Sequence, residues 1–326
     1  MWYDVLCEAE RRGLEKDVGK LGALARGARW EDLVPKSSLE RYKKSYGSTA
    51  CDEDTEWRIF KDVPRTHLPE DSWFPFVFSQ KQDTKPKLSR LLRAGASLFG
   101  YSQGMNFVAA LILSEEYDEA TAFALFAYLL QDLRMKLLYG RTLAAYLGAF
   151  SVALRTHAPE IHQTLKRLDF EPQLYAVEWF STLFSVCLPR PLALAALDLA
   201  FARVTDAPLR FAVGILTSVP IDFETFEDIA MCFKKHIRAQ ASHHALFAML
   251  DVETDAFREL QRAVDTPYGR GTCVDLRPDG FAVVDLGWGR AYVRRVPVQQ
   301  PTTKADPNPL RPPARPPGHR RRRLSN

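Results

Sequence analysis

The sequence predicts an all-α domain, helix packed on helix, with a small β appendage towards its C-terminal end. Three observations predict it. From Trp57 onward, apolar residues recur at three- and four-residue spacing. Between Trp57 and Val264 there is no alternating apolar-polar stretch and no internal repeat. After Pro267-Tyr268-Gly269 the pattern changes to short β-rich segments. With 326 residues, 46% of them hydrophobic, the chain can bury a sizeable core as one large domain or two lobes.

Residues 1–56 are charged and weakly periodic and read as a divergent N-terminal segment, with Trp30-Glu31-Asp32-Leu33 and Tyr42 available to pack. A helix starts near Trp57. Pro64 disfavours helical backbone at Val63, so the helix should end there and leave Arg65 on a loop. Leu88, Leu91, Leu92, Gly95, Leu98 and Phe99 then mark a helix that Gly100 can close with a left-handed cap. Met105, Phe107, Val108, Leu111 and Ile112 open another buried helix, which puts Gln103 at a helix-to-helix junction.

Asp118 can cap a helix carrying Phe123, Phe126, Leu129 and Leu130. Leu143, Tyr146, Leu147, Phe150 and Leu154 form a helical stripe, and Pro159 suits the first turn of the next helix. Asp222 can cap one bearing Phe226, Ile229 and Phe233. The helical domain should run over residues 57–265. Thr272–Arg277, Phe281–Gly287 and Arg290–Val296 read as three strands of a meander within residues 270–297, with Asp279-Gly280 as a turn. So small a sheet is expected to pack on the helices.

The chain's net charge of +4 is unevenly spread. Residues 301–326 hold six arginines, one lysine and one aspartate, so the rest sums to −2. That tail also has seven prolines and ends in Arg320-Arg321-Arg322-Arg323; residues 300–326 cannot form a core and are expected to be disordered. Five scattered cysteines without a C-x-x-C pair read as reduced, mostly buried thiols of an intracellular protein. Met1-Trp2-Tyr3-Asp4 lacks the features of a signal peptide, and no apolar run is long enough to span a membrane.

Two polar stretches flank the helix around Leu88–Phe99. The first is Ile59-Phe60-Lys61-Asp62-Val63-Pro64-Arg65-Thr66, and the second is Tyr101-Ser102-Gln103-Gly104-Met105-Asn106. They match an I-x-x-D-x-x-R motif and a Y-x-Q-G-M motif at every named position. The chain thereby resembles the TBC-domain family of Rab GTPase-activating proteins. Glu178-Trp179-Phe180-Ser181-Thr182-Leu183-Phe184, followed by Leu188-Pro189, resembles that family's W-F-x-x-x-F…L-P helix. Leu197-Asp198 stands where the family has Trp-Asp, and the family's opening G-x-P-x-x-x-R-x-x-x-W helix is not found. The resemblance spans roughly Trp57 to Leu250 and implies an all-α, TBC-type fold.

It also implies a chemistry. A small GTPase hydrolyses GTP slowly because its site lacks groups to stabilise developing charge and to orient the attacking water. A guanidinium stays charged and offers a planar fork of donors to phosphate oxygens. A carboxamide both donates and accepts, so it can bridge phosphate and water. By the resemblance, Arg65 would be an arginine finger and Gln103 would replace the GTPase's own glutamine. An arginine finger in a well-studied GTPase system contributes ~10³ to 10⁵ in rate. Asp62 would orient the Arg65 loop by bonding backbone or guanidinium, and Tyr101 would buttress both loops. Gly104 would permit a tight backbone, with Ile59 and Thr66 as further supporting residues.

The partner implied is a Rab-family GTPase in its GTP-bound form, in vesicle traffic. This chain itself needs no cofactor, because GTP and Mg²⁺ belong to the partner. No G-x-x-x-x-G-K-[ST] loop is present. The expected location is cytoplasmic, peripheral to endomembranes. The Arg-rich tail could contact anionic membrane, while nucleic acid is not an expected partner. A catalytically silent Rab-binding adaptor or scaffold stands as the alternative. Asp198 reads as structural, bonding backbone amides, and Trp179, Phe180 and Phe184 as core. His236, His243 and His244 with Cys232 lack regular zinc-ligand spacing.

Overall fold

Apolar residues on a 3.6-residue period can leave water only by packing helix on helix. The computed structural model, which describes residues 2–12, 20–47, 51–66, 84–218, 223–233, 244–252, 263–276 and 281–294, shows that outcome. The helices α1 (Trp2–Arg11), α2 (Leu21–Ala25), α3 (Trp30–Leu33) and α4 (Lys36–Ser45) lead into α5 (Glu53–Arg65). Next come α6 (Thr84–Phe99), α7 (Met105–Leu113), α8 (Glu119–Gln131), α9 (Arg141–His157) and α10 (Pro159–Arg167). A short α11 (Ala176–Ser181) precedes α12 (Arg190–Phe201), α13 (Ala207–Ser218), α14 (Phe226–Met231) and α15 (His244–Ala248). The chain then forms β1 (Ala263–Thr266), β2 (Gly269–Leu276), β3 (Phe281–Asp285) and β4 (Arg290–Arg294).

The core is centred on α8, whose residues from Thr121 to Leu130 are all buried. Asp118 caps it by accepting from the Thr121 amide, as its sequence position predicts. Around α8 pack α4, α6 and α7. Gly100 closes α6 with φ +77°, and Pro159 opens α10. A second aromatic cluster joins Tyr146, Phe150, Phe180, Phe184 and Phe211 edge to face.

Several sequence expectations are corrected. Pro64 lies inside α5, which begins at Glu53 behind an Asp52 cap and runs through to Arg65. A proline in the last turn removes only one helical bond, and the Thr66 hydroxyl donates to the Asp62 carbonyl at 2.8 Å to close the end. Leu98 falls at the edge of the α6 stripe and is exposed. The Trp-Phe helix stops at Ser181, and Leu183 and Phe184 take left-handed backbone beyond it. α14 is capped by Thr225, whose hydroxyl accepts from the Asp228 amide; Asp222 lies outside the described residues. Of the cysteines, only Cys232 and Cys273 are buried, and Cys7 sits on the face of α1 opposite Trp2, Val5 and Ala9.

The appendage has four strands rather than three, antiparallel in the order β1-β2-β3-β4. Pro267-Tyr268 is the β1–β2 turn, because the strand pairing begins at Ala263↔Thr272. The sheet packs against α9, with Cys273 and Ala282 joining the helical core. Asp279-Gly280 and residues 300–326 lie outside the described residues.

Asp198 is structural, but its partners are indoles rather than backbone amides. Its carboxylate accepts from Trp2 Nε1 at 2.8 Å and from Trp30 Nε1 at 2.6 Å, fastening α1 and α3 to α12. Burial raises the Asp198 carboxyl above its ordinary value, with the two indole donors pulling the other way. The folded state therefore holds that proton more tightly than the unfolded chain. The ionised group weighs against folding above its raised value, and that cost fades as pH falls through it. Asp198→Ala should lower stability by about 2–4 kcal/mol by leaving the indole N–H groups unpaired. Urea denaturation followed by tryptophan fluorescence should show this gap widening, not narrowing, as pH is lowered through the carboxylate range.

Candidate functional site

Arg65 and Gln103 are presented from segments that one buried side chain ties together. α5 is fixed by Ile59 and Val63, which are buried, so its C-terminal end has a defined position. Arg65 is the last residue of that helix and is exposed. Thr66, the next residue, is buried. On the other side, Gly104 precedes α7 with φ +102° and ψ −34°, a backbone that L side chains rarely adopt. Gln103 stands exposed on that turn.

Asn106 connects the two. It is 2% exposed. Its Oδ1 accepts from the Gly104 amide at 3.1 Å, and its Nδ2 donates to Thr66 Oγ1 at 2.9 Å. The residue after Arg65 and the residue after Gln103 therefore share one carboxamide. Tyr101 provides a second strut: its hydroxyl donates to Asp62 Oδ2 at 2.6 Å and lies 3.4 Å from Asn106 Oδ1. Burial, followed by the Asp62 carboxylate, pushes the Tyr101 phenol far above its ordinary value, so it remains a donor. Tyr101 thus links Asp62 of α5 to the segment that carries Gln103.

Asp62 departs from its expected role. Its carboxylate is taken by Tyr101, and among the described residues it makes no bond to Arg65. Among the same residues, neither the Arg65 nor the Gln103 side chain forms a hydrogen bond or ion pair. Gly104 has a second constraint besides its positive φ. A Cβ there would lie 2.5 Å from the Ser181 carbonyl oxygen at the end of α11, so the Gln103 turn sits directly on the Trp-Phe segment. Trp179, Phe180 and Phe184 are buried core, as expected.

Sequence reasoning assigned no role to Asn106 or Ser181. The signal for Asn106 was available: it is the one side-chain amide in the otherwise apolar run of α7, Met105–Leu113. Ser181 contributes backbone, which residue identity does not announce. His236 and His243 lie outside the described residues, and among those described no group of three His, Cys, Asp or Glu side chains could hold a metal.

The fold and this geometry define a mainly helical domain that presents, from one braced edge, a guanidinium and a carboxamide that are unpaired among the described residues. Residues 20–220 match the model of the Rab-GTPase-TBC domain. Among curated relatives, the GTPase-activating protein GYP5 of Saccharomyces cerevisiae is 27% identical over 222 residues, covering 66% of this chain and 24% of the relative. Human TBC1 domain family member 14 is 30% identical over 211 residues, covering 62% of this chain and 28% of the relative. The chain spans about a quarter of the length of these relatives. Among solved structures, the Chlamydomonas flagellar RabGAP TBC domain has a TM-score of 0.48 at 23% identity, covering 74% of this chain and 77% of that one. The chain belongs to the Rab-GTPase-TBC domain family. Among the described residues no helix is long and apolar enough to cross a membrane.

Two substitutions test the brace. Asn106→Ala should cost about 2–4 kcal/mol, because the Gly104 amide and the Thr66 hydroxyl lose a buried partner. Gly104→Ala should cost at least ~2 kcal/mol through backbone strain and the clash with Ser181. Shifts in urea midpoint at constant m-value check both.

Proposed function

We propose that this chain accelerates GTP hydrolysis by a Rab-family GTPase in its GTP-bound form, as part of vesicle traffic at endomembranes. Arg65 supplies positive charge to the oxygens of the transferring phosphoryl group. Gln103 orients the attacking water, donating to phosphate while its carbonyl accepts from the water. GTP and Mg²⁺ are the partner's. This chain forms no bond to the nucleotide and completes another protein's site.

The observation that carries this reading is the Asn106 bridge, which fixes Thr66 and Gly104 together while the side chains of their neighbours Arg65 and Gln103 stay exposed and, among the described residues, unpaired. Stabilising a transition state requires donors that are already positioned and not committed elsewhere. Family membership supports the partner class. One relative is named a GTPase-activating protein, and others carry the TBC1 family name.

The test is single-turnover GTP hydrolysis by a panel of GTP-loaded Rab GTPases. On a responsive GTPase, Arg65→Ala should lower the accelerated rate by about 10³- to 10⁵-fold. Gln103→Ala should lower it by roughly 10²-fold or more, with binding of the GTP-loaded partner much less affected. Arg65→Lys should remain slow, since an ammonium lacks the planar fork. Equal rates for wild type and Arg65→Ala would refute the assignment. Binding of GTP-loaded partner without any acceleration by wild type would identify an adaptor instead.

A further inference from the structure

The outward face of α5 holds an arrangement that the finger chemistry does not use. The helix buries Thr55, Ile59 and Val63. On its opposite side Phe60 is 70% exposed and Trp57 55% exposed. Pro64 is exposed as well. Positions 57, 60 and 64 are three and four residues apart and so form one apolar ridge along the helix. Beside it, at the same spacing, runs a cationic ridge of Arg58, Lys61 and Arg65, also exposed. Lys61 Nζ lies 3.3 Å from the centroid of the Trp57 ring, which joins the two ridges. Arg58 is paired with Asp54 in solvent.

Distance decides what this face can meet. At a rise of 1.5 Å per residue, Phe60 lies about 7–8 Å and Trp57 about 12 Å from Arg65 along the helix axis. A standard protein interface covers about 800 Å² per partner, a disc of radius roughly 16 Å. A globular partner whose footprint is centred near Arg65 therefore has both rings within it. Aromatic rings are among the side chains most enriched in interface hot spots. A membrane could also receive aromatic and cationic side chains, but a ridge that ends at Arg65 is better matched to the protein that Arg65 serves.

We propose that the Trp57-Phe60-Pro64 ridge is the docking ledge by which the chain chooses its GTPase. It receives an apolar patch of the GTP-bound partner, flanked by acidic side chains that meet Arg58 and Lys61. This inference rests on the reading of Arg65 as a residue that reaches a GTPase. It divides the labour along one helix: Arg65 sets the rate of hydrolysis, and the ridge sets affinity and choice of partner.

Phe60→Asp and Trp57→Ala test it, and because both side chains are exposed the melting temperature should stay unchanged. On a Rab that wild type accelerates, each should raise KM roughly tenfold or more with kcat within about twofold. Arg65→Ala should do the reverse. In a second arm, Rab GTPases loaded with a non-hydrolysable GTP analogue are retained on immobilised chain. Phe60→Asp should lower that retention roughly tenfold, including on any GTPase that wild type binds without accelerating, so the ledge is tested even if the catalytic reading fails. Unchanged KM and unchanged retention in both variants would overturn the ledge while leaving Arg65 standing. Intact retention with loss of binding to phosphatidylcholine–phosphatidylserine vesicles would assign the ridge to a membrane and equally overturn it. If wild type neither retains nor accelerates any GTPase of the panel, the ledge and the function fall together.

Discussion

A buried carboxamide is costly unless both its ends are bonded, and Asn106 meets that requirement by holding two separate segments at once. The Gly104 amide belongs to a helix start, where amides lack helical partners. The Thr66 hydroxyl belongs to a helix end, where it already donates to the Asp62 carbonyl and can still accept. Each segment thus supplies the group that the other side of the amide needs. Pulling them apart would leave donors and acceptors unpaired in the interior. This makes the relative placement of the α5 end and the Gln103 turn a property of the folded core.

The core in turn shapes the turn from below. The Ser181 carbonyl lies where a side chain at residue 104 would have to go, so the Gln103 turn must be both left-handed and bare. Ser181 is held by the short α11, followed by Leu183 at φ 45° and Phe184 at φ 64°. Positive φ at two non-glycine residues costs on the order of 1–3 kcal/mol each. The burial of Phe180, Phe184 and Phe211 against one another offsets it. The Trp-Phe segment therefore serves the site through its backbone path, while its rings serve the core.

Much of this was legible in the sequence because helical periodicity is a local signal. α6, α8 and α9 read directly, as did the caps at Gly100 and Asp118 and the proline start of α10. The readings that failed involve context. Pro64 looked like a helix end because its cost is judged locally, yet in a last turn the loss is one bond and Thr66 closes the helix instead. β1 escaped notice because four residues carry too little alternation; its partner β2 defines it. Asp198 was recognised as structural, but its indole partners lie 168 and 196 residues away, beyond any local pattern. At the candidate site, the motifs singled out Arg65, Gln103, Tyr101 and Gly104. They did not disclose that Tyr101 would capture Asp62, since that pairing exists only after α5 and α7 have packed.

That capture bears directly on the proposed chemistry. An arginine three residues beyond an aspartate on one helix could pair with it. A guanidinium paired at home would have to surrender that bond before serving a transition state, and the exchange would erase part of the gain. Tyr101 occupies the Asp62 carboxylate instead, through a phenol that burial keeps protonated. The brace is then closed on itself, and among the described residues no carboxylate pairs with the cation. Exposure of Arg65 and Gln103 is in this sense a consequence of how thoroughly the residues beneath them are bonded to one another. The polar groups of Asp62, Thr66, Tyr101 and Asn106 satisfy each other, so that the two side chains above them remain available to a partner.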